Sequence, residues 1–253
     1  MKLETDKFNR LSLGIMERYK CSPEEAINIL TFLKLNIDCG NDIRTSLPLQ
    51  ASLLTAVNTG KRAFLGGVFI CMPSNVISLI IWPGKKYLSD ILVELGGKIV
   101  SRLEETNFCL CFGLRGNIDS NRVEVVCNNW QSGLLANGEK CSFNSTGNIP
   151  TAGIFAGSLG VGLGFLKMTG INVSVADNSV GISLWRPDLD WLDENSFGPE
   201  ISILPRKFWM LGLGHLGQAY LWNIGLLPYK NFDECTIFSA EFLTSGRGES
   251  FVL

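Results

Sequence analysis

The sequence predicts an α/β fold, made of Rossmann-like parallel sheet units with a helical N-terminal segment. Short apolar runs alternate with a helical pattern between residues 64 and 127, which is the order of elements in parallel sheets. A glycine-rich turn at residues 212–217 stands between another apolar run and a further helical pattern. The chain has 253 residues, of which 46% are apolar and 18% charged, so it can bury a sizeable core.

Residues 1–60 are expected to be helical. Ser22-Pro23-Glu24-Glu25 is a helix start signal, because a capping serine precedes proline and a glutamate follows three positions later. The apolar residues that then recur at helical spacing are Ala26, Leu30, Leu33 and Ile37. They predict a helix from Pro23 to about Ile37, and a second helix is expected from about Pro48 to Asn58, ended by Gly60. We find no catalytic pattern in this segment.

Residues 61–200 are predicted to form an α/β domain without an evident active site. Cys109 and Cys111 alternate along one expected strand, so both face one side, and we predict that they fill a core. Four carboxylates between residues 188 and 194 fit no calcium loop, which favours a solvated acidic turn over a cation site. The expected strands are Gly67–Met72, Val76–Trp82, Lys98–Val100, Phe108–Phe112, Arg122–Cys127 and Gly181–Trp185, with a helix from about Lys86 to Leu95.

Composition argues against several classes of protein. The 22 basic and 24 acidic side chains nearly balance, so we expect no nucleic-acid partner. The eight cysteines lack a Cys-x-x-Cys pair, so we predict no metal site, and an N-terminus without a secretory signal favours a cytoplasmic protein with free thiols. Residues 149–166 are uncharged but rich in glycine and alanine, which favours a helix pressed against a sheet over a membrane span.

The most informative stretch runs from Lys207 to Tyr229. Five mostly apolar residues precede the turn Gly212-Leu-Gly214-His215-Leu-Gly217, and a helical pattern follows that ends before Pro228. In such a turn the first glycine allows the bend, the second lets a phosphate approach the backbone, and the third lets helix and strand pack closely. The helix also directs free N–H groups at an anion. We predict a nucleotide-phosphate site, with glycines that only satisfy turn geometry as the alternative.

A second apolar run, Thr236-Ile237-Phe238, follows about twenty residues after Gly217 and is predicted to be the next parallel strand. Glu241 comes just past its end, at the position from which an acidic residue accepts hydrogen bonds from a ribose. The alternative for Glu241 is a solvated loop carboxylate. Residues 201–253 are therefore expected to form a partial Rossmann-like nucleotide-binding unit.

The segment Phe208–Tyr229 resembles the nucleotide motif of bacterial ThiF-like proteins, which are relatives of ubiquitin-activating enzymes, and Ser183–Asp193 resembles the segment that precedes it. The resemblance implies that ATP binds at the turn, through Gly212, Gly214, His215 and Gly217, with Glu241 at the ribose and Mg²⁺ at the phosphates. It implies an ATP-dependent adenylyltransferase that joins AMP to the C-terminal carboxylate of a ubiquitin-like protein.

Two features depart from the pattern of that family. Ser239-Ala240-Glu241 stands where its members usually have two aspartates. Its members also continue beyond the length of this chain, so the resemblance implies a shortened member that is incomplete as an enzyme alone, and its catalytic residues are not identified.

Two other functions stay open. One is a non-catalytic module for dimerisation or partner binding, which fits the high apolar content because a second copy or a partner would cover apolar surface. The other is a fragment of an NAD-binding oxidoreductase that uses the same glycine turn. The residues before the turn show no His or Lys set arranged for proton transfer, which weighs against this second alternative.

Overall fold

The computed structural model describes residues 5–104, 108–114, 121–139, 141, 147–171 and 178–240, and the predicted α/β class is confirmed. A seven-stranded sheet forms its centre, and we call it the main sheet. Strands β5, β2, β1, β6 and β7 run parallel, whereas β8 and β9 are each antiparallel to the preceding strand. The spatial order is β5 (Gly97–Ile99), β2 (Gly67–Cys71), β1 (Lys34–Cys39), β6 (Cys109–Phe112), β7 (Arg122–Asn128), β8 (Gln131–Leu135) and β9 (Val180–Ser183).

The other strands form two small sheets. A hairpin of β3 (Ile77–Trp82) and β4 (Lys85–Tyr87) follows β2, and a parallel pair of β10 (Lys207–Leu211) and β11 (Thr236–Ala240) lies near the C-terminus. Short 3-10 helices occur at Asn41–Arg44, Glu194–Ser196 and Phe232–Glu234. The α-helices of the described residues are α1 (Thr5–Tyr19), α2 (Pro23–Phe32), α3 (Leu47–Ala63), α4 (Leu88–Glu94), α5 (Pro150–Thr169) and α6 (His215–Gly225).

Helices α3 and α5 pack against each other and against one face of the main sheet. A Cβ added at Gly153 or Gly157 would overlap a backbone carbonyl of α3, and one added at Gly164 would overlap the ring of Phe108. The glycines therefore allow a close approach that any larger residue would prevent. Helix α5 is long and apolar enough to cross a membrane, but 50% of its apolar window is buried, as expected of a core helix. The predicted small-residue helix against a sheet is thus observed.

The prediction that residues 1–60 are helical is wrong for β1. The helix that begins at Pro23 has the expected capping box, in which Ser22 N–H donates to Glu25 Oε2 over 2.8 Å, but it ends at Phe32. Leu35 and Ile37 of β1 are fully buried at alternating positions. Ile37 also fits the helical spacing of Ala26, Leu30 and Leu33, because a short apolar run is compatible with both periods. The division of the chain at residues 60 and 200 stays a prediction.

Two further expectations about elements also need correction. Helix α3 runs past Gly60 to Ala63. A Cβ at Gly60 would lie 2.9 Å from Leu35 Cδ2, so this glycine permits close contact with the sheet instead of ending the helix. Strand β8 was missed, since Gln-Ser-Gly-Leu-Leu contains no β-branched or aromatic residue.

Candidate functional site

The turn between β10 and α6 has the predicted strand, turn and helix order. Strand β10 pairs in parallel with β11, from Lys207 opposite Thr236 to Leu211 opposite Ala240, which confirms the expected second parallel strand. Gly214 is the N-cap of α6, and the helix ends at Gly225, before Pro228, as predicted. Glu241 follows β11 directly but lies outside the described residues, so its place at a ribose stays a prediction.

The three glycines of this turn meet different structural demands. Gly212 has φ +87°, a left-handed conformation that favours glycine. A Cβ at Gly217 would overlap the carbonyl oxygen of Gly212, so this residue lets the helix pack close to the strand. Gly214 has φ −63°, which any residue adopts, and an added Cβ would meet no described atom within 4 Å. Among the described residues, neither backbone conformation nor packing requires glycine at position 214, and the space in front of it holds no described atom.

The N-terminal end of α6 presents backbone N–H groups to that space, and these groups have no partner among the described residues. The first amide to enter the helical ladder is that of Gln218, which donates to the carbonyl of Gly214 over 3.0 Å. No described side chain caps this end of the helix. The N–H groups of His215, Leu216 and Gly217 therefore precede the ladder and can receive an anion at the positive end of the helix.

A groove with a volume of about 1140 Å³ adjoins the turn. It runs between β10, one face of α6, the segment 201–205, Trp130 and Thr151, and its lining includes Gly212, Gly214, His215 and Gly217. Most of the lining is apolar, and the described residues contribute no Asp, Glu, Lys or Arg to it. The volume slightly exceeds the range of about 300–1,000 Å³ that is usual for small-molecule sites.

Helix α6 is attached to the rest of the molecule through its C-terminal half. Trp222 Nε1 donates to Thr55 Oγ1 of α3 over 2.9 Å, and Thr151 Oγ1 of α5 donates to Asn223 Oδ1 over 2.9 Å. Leu226 is buried in the main core. No local sequence pattern indicates these contacts, because the partners are far apart along the chain.

The main sheet has its own reversal of strand order between β1 and β6, a place where α/β proteins bind ligands. Here the turn after β1 is packed against the segment that follows β6, which leaves no space for a ligand in front of Gly40. Gly40 N–H donates to the carbonyl of Phe112 over 2.8 Å, and a Cβ at Gly40 would overlap the carbonyl oxygen of Gly113. Ser46 caps α3 by accepting from Leu49 N–H over 3.3 Å, so a side chain already fills the end of this helix.

A polar row crosses the face of the main sheet opposite α3 and α5. Arg122 Nη1 donates to Asp38 Oδ2 over 2.8 Å, and this bond raises the pKa of the guanidinium. Cys109 and Cys111 lie beside the pair and are buried, as predicted. A hydrogen bond with the neighbouring Cys109 thiol, and then burial, raise the pKa of the Cys111 thiol. Among the described residues no cluster of His, Cys, Asp and Glu has the arrangement of a metal site.

The carboxylates between residues 188 and 194 serve local structure in three cases. Asp188 pairs with Arg186 over 2.7 Å, and the hydrogen bonds of this pair hold the pKa of the carboxyl at about 2. Asp190 accepts from Leu192 N–H over 2.9 Å, and Asp193 accepts from Asn195 N–H over 2.7 Å. These contacts agree with the predicted acidic turn.

Comparison with known proteins places these features in a family. Residues 34–184 match the model of the BilD N-terminal domain, and residues 204–242 match the model of the BilD C-terminal domain. The chain is 31% identical over 252 residues to a bacterial E1-like protein BilD from Collimonas sp. (strain OK412). That alignment covers 96% of this chain and 53% of the relative, so the chain spans about half the length of the relative.

These matches correct the family expected from the glycine motif. The ThiF-like assignment is wrong, because the matching family models are those of the two BilD domains. The BilD N-terminal model covers 34–184, which includes all seven strands of the main sheet, and the C-terminal model covers β10, the glycine turn, α6 and β11. Since the first of these models spans more than half of the sequence, the chain belongs to the BilD family.

Proposed function

We propose that the chain binds ATP at the glycine turn and takes part in the activation of a ubiquitin-like protein. The open space in front of Gly214 is the observation that carries the proposal. Gly214 is the one glycine of the turn that neither the backbone conformation nor the packing of the described residues requires. The similarity to a protein named E1-like supports the same class of function.

The turn supplies the groups that a nucleotide phosphate needs. The N–H groups of His215, Leu216 and Gly217 donate to phosphate oxygens, and the positive end of α6 stabilises their charge. The groove beside the turn then accommodates the nucleoside, with Glu241 as the proposed partner of the ribose. A Cβ at position 214 would stand between the phosphate and these donors.

The proposed reaction joins AMP to the C-terminal carboxylate of a ubiquitin-like protein. The carboxylate oxygen attacks the α-phosphorus of ATP, the bond to the bridging oxygen breaks, and pyrophosphate leaves. The described lining offers Mg²⁺ no carboxylate, so the described residues do not fit a protein-held ion, and Mg²⁺ is proposed only as the counterion of the nucleotide. Because the chain spans about half of its relative, catalytic residues are not assigned.

Surface composition supports a further protein partner or a second copy. Trp209, Leu211 and Leu216 are 75%, 72% and 74% exposed, and all three border the groove. Large apolar side chains that cluster on a surface are typical of interaction sites. Sedimentation of the purified chain, alone and with a ubiquitin-like protein, tests whether this surface is covered. A cytoplasmic location stays a proposal that rests on free thiols.

Thermal unfolding with ATP and Mg²⁺, and separately with NAD, tests the proposed ligand. A ligand at one hundred times its Kd stabilises the native state by about 2.7 kcal/mol. We expect ATP to raise Tm and NAD to leave it unchanged. Stabilisation by NAD instead would favour the oxidoreductase alternative, and no change with either nucleotide would favour the non-catalytic module.

Gly214→Val locates the binding site, and Gly162→Val is its matched control. Both positions have open space around an added Cβ and neither has a positive φ, but Gly162 lies on α5, outside the groove. We expect Gly214→Val to remove the effect of ATP on Tm while the protein still unfolds cooperatively. If Gly214→Val keeps the full effect of ATP, the nucleotide does not bind at this turn.

A further inference from the structure

Trp222 makes two kinds of contact that fix α6 to the rest of the molecule. Its indole N–H donates to Thr55 Oγ1 over 2.9 Å, and the Thr55 hydroxyl in turn donates to the carbonyl of Ala51 over 2.7 Å. Its ring stands edge-to-face on Trp82 of the β3–β4 hairpin, with 6.3 Å between the ring centroids and 71° between the planes. Trp222 therefore touches α3 and the hairpin at once.

The partners of Trp222 are themselves held in place. Thr55 is 3% exposed, so bulk water cannot replace Trp222 as the hydrogen-bond partner of its hydroxyl. Loss of the Trp222 bond would leave a buried polar group without that partner, which costs free energy of folding. Trp82 Nε1 donates to Glu94 Oε1 over 3.2 Å, and Gln50 of α3 bonds to the backbone of Ile77 and Leu79 at the start of the hairpin. The surface that receives Trp222 is thus built from buried or bonded groups of the N-terminal part of the chain.

Among the described residues, the N-terminal half of α6 has no comparable support. Leu216 and Tyr220 are 74% and 61% exposed, and the buried residue of the helix is Gly217, which packs on the glycine turn. Gly214 lies about 12 Å along the helix from Trp222, at a rise of about 1.5 Å per residue. A tilt of α6 at its attached end would therefore move the amides of the turn.

We propose that Trp222 is a positioning residue for the nucleotide site. Its hydrogen bond to Thr55 and its ring contact with Trp82 fix the axis of α6, and the axis directs the N–H groups of residues 215–217 at the bound phosphate. This inference rests on the proposed function for the part that concerns ATP. The part that concerns the helix stands on the contacts alone, and the two parts are measured separately.

Amide hydrogen exchange of the chain without nucleotide tests how α6 is held. Trp222→Phe keeps a ring against Trp82 and removes the N–H donor, and Thr55→Val removes the acceptor with little change in shape. We expect each change to speed exchange in residues 218–225 by about threefold to tenfold, the range that one hydrogen bond provides. Thr55→Ser keeps the hydroxyl and should behave as wild type, and the double variant should exceed neither single variant.

ATP titration of the same proteins tests the effect on the site. Trp222→Phe and Thr55→Val should weaken ATP binding by a similar factor, and Thr55→Ser should restore it. Tyr19→Phe is the matched control for general stability, because it removes the 2.8 Å bond from Tyr19 to the carbonyl of Thr169, which joins α1 to α5 away from α6. We expect this control to lower Tm without changing exchange in α6 or affinity for ATP.

Each outcome decides one part of the inference. Unchanged exchange in residues 218–225 of both Trp222→Phe and Thr55→Val would overturn the role of Trp222 in holding the helix. Faster exchange with unchanged affinity, in a wild-type chain that binds ATP, would overturn its role in positioning the site. If wild type does not bind ATP, the proposed function fails, the positioning of a nucleotide site fails with it, and exchange alone decides whether Trp222 holds α6.

Discussion

The crossovers β1–α3–β2 and β10–α6–β11 share one order of elements and differ at the turn that precedes the helix. In the first, Gly40 is pressed against the backbone of Gly113, and Ser46 caps the helix with its own hydroxyl. In the second, no described atom lies within 4 Å of a Cβ added at Gly214, and no described side chain caps the helix. Gly40 therefore closes the turn after β1, because the absence of a side chain lets two backbone segments touch. Gly214 leaves the turn after β10 open, because no described side chain occupies the space in front of it. We call these the closed turn and the open turn.

The largest expected effect comes from Gly40→Ala in the closed turn. The added Cβ overlaps the carbonyl of Gly113, so β1 and the segment after β6 must separate at the centre of the main sheet. Overpacking of this kind costs about 3 kcal/mol. Urea unfolding measures the loss, and a change below about 0.5 kcal/mol would show that this turn is not tightly packed.

Gly217→Ala is expected to have the next largest effect, and a local one. Its Cβ overlaps the carbonyl of Gly212, which forces α6 away from β10, at a cost of about 2 kcal/mol. Limited proteolysis should then cut residues 205–240 faster and leave the main sheet intact. Gly214→Ala is the control in the same turn, and it should change stability by less than about 0.5 kcal/mol.

Substitutions at the two helix caps, Ser46 and Gly214, are expected to have smaller effects. Ser46→Ala removes the oxygen that accepts from Leu49 N–H and should cost about 1 kcal/mol. Gly214→Ser supplies a cap that the second helix lacks, so we expect stability to rise by a few tenths of a kcal/mol while binding of ATP weakens. Thermal unfolding with and without ATP checks both, and equal behaviour of the two variants would contradict the difference between the turns.

The smallest expected effect is a pH dependence of stability that arises from Glu124, next to the closed turn. Burial, and then the charge of Asp42 in that turn, raise the pKa of Glu124 to about 7. The folded state therefore keeps a proton that the unfolded state releases near pH 4.5, so stability falls as pH rises from about 4.5 to 7. Glu124→Gln should raise Tm by about 2 °C at pH 8 and by almost nothing at pH 4. An equal gain at both values would show that the carboxylate charge is not the cause.

The sequence was most informative where one local pattern allowed one interpretation. The strand, turn and helix around Gly212 and the capping box at Ser22 are of this kind, because their residues meet local demands. Strand β1 was concealed because Ile37 fits a helical period as well as an alternating one, and its burial is decided by strands that follow later. Trp222 is separated from Thr55 by 167 positions, so no local pattern could connect them. The open space at Gly214 likewise could not be predicted locally, because the walls of the groove include Trp130, Thr151 and residues 201–205, which lie elsewhere in the sequence.

The glycines of α5 also have a consequence for mutational scanning. Gly153, Gly157, Gly160 and Gly164 face close neighbours, while Gly162 on the same helix faces none. A scan of every substitution in this helix would reject alanine at Gly153, Gly157 and Gly164, although the average protein helix prefers alanine, and would accept it at Gly162. Alignment methods that score glycine-to-alanine as conservative would therefore misjudge which variants of this chain survive.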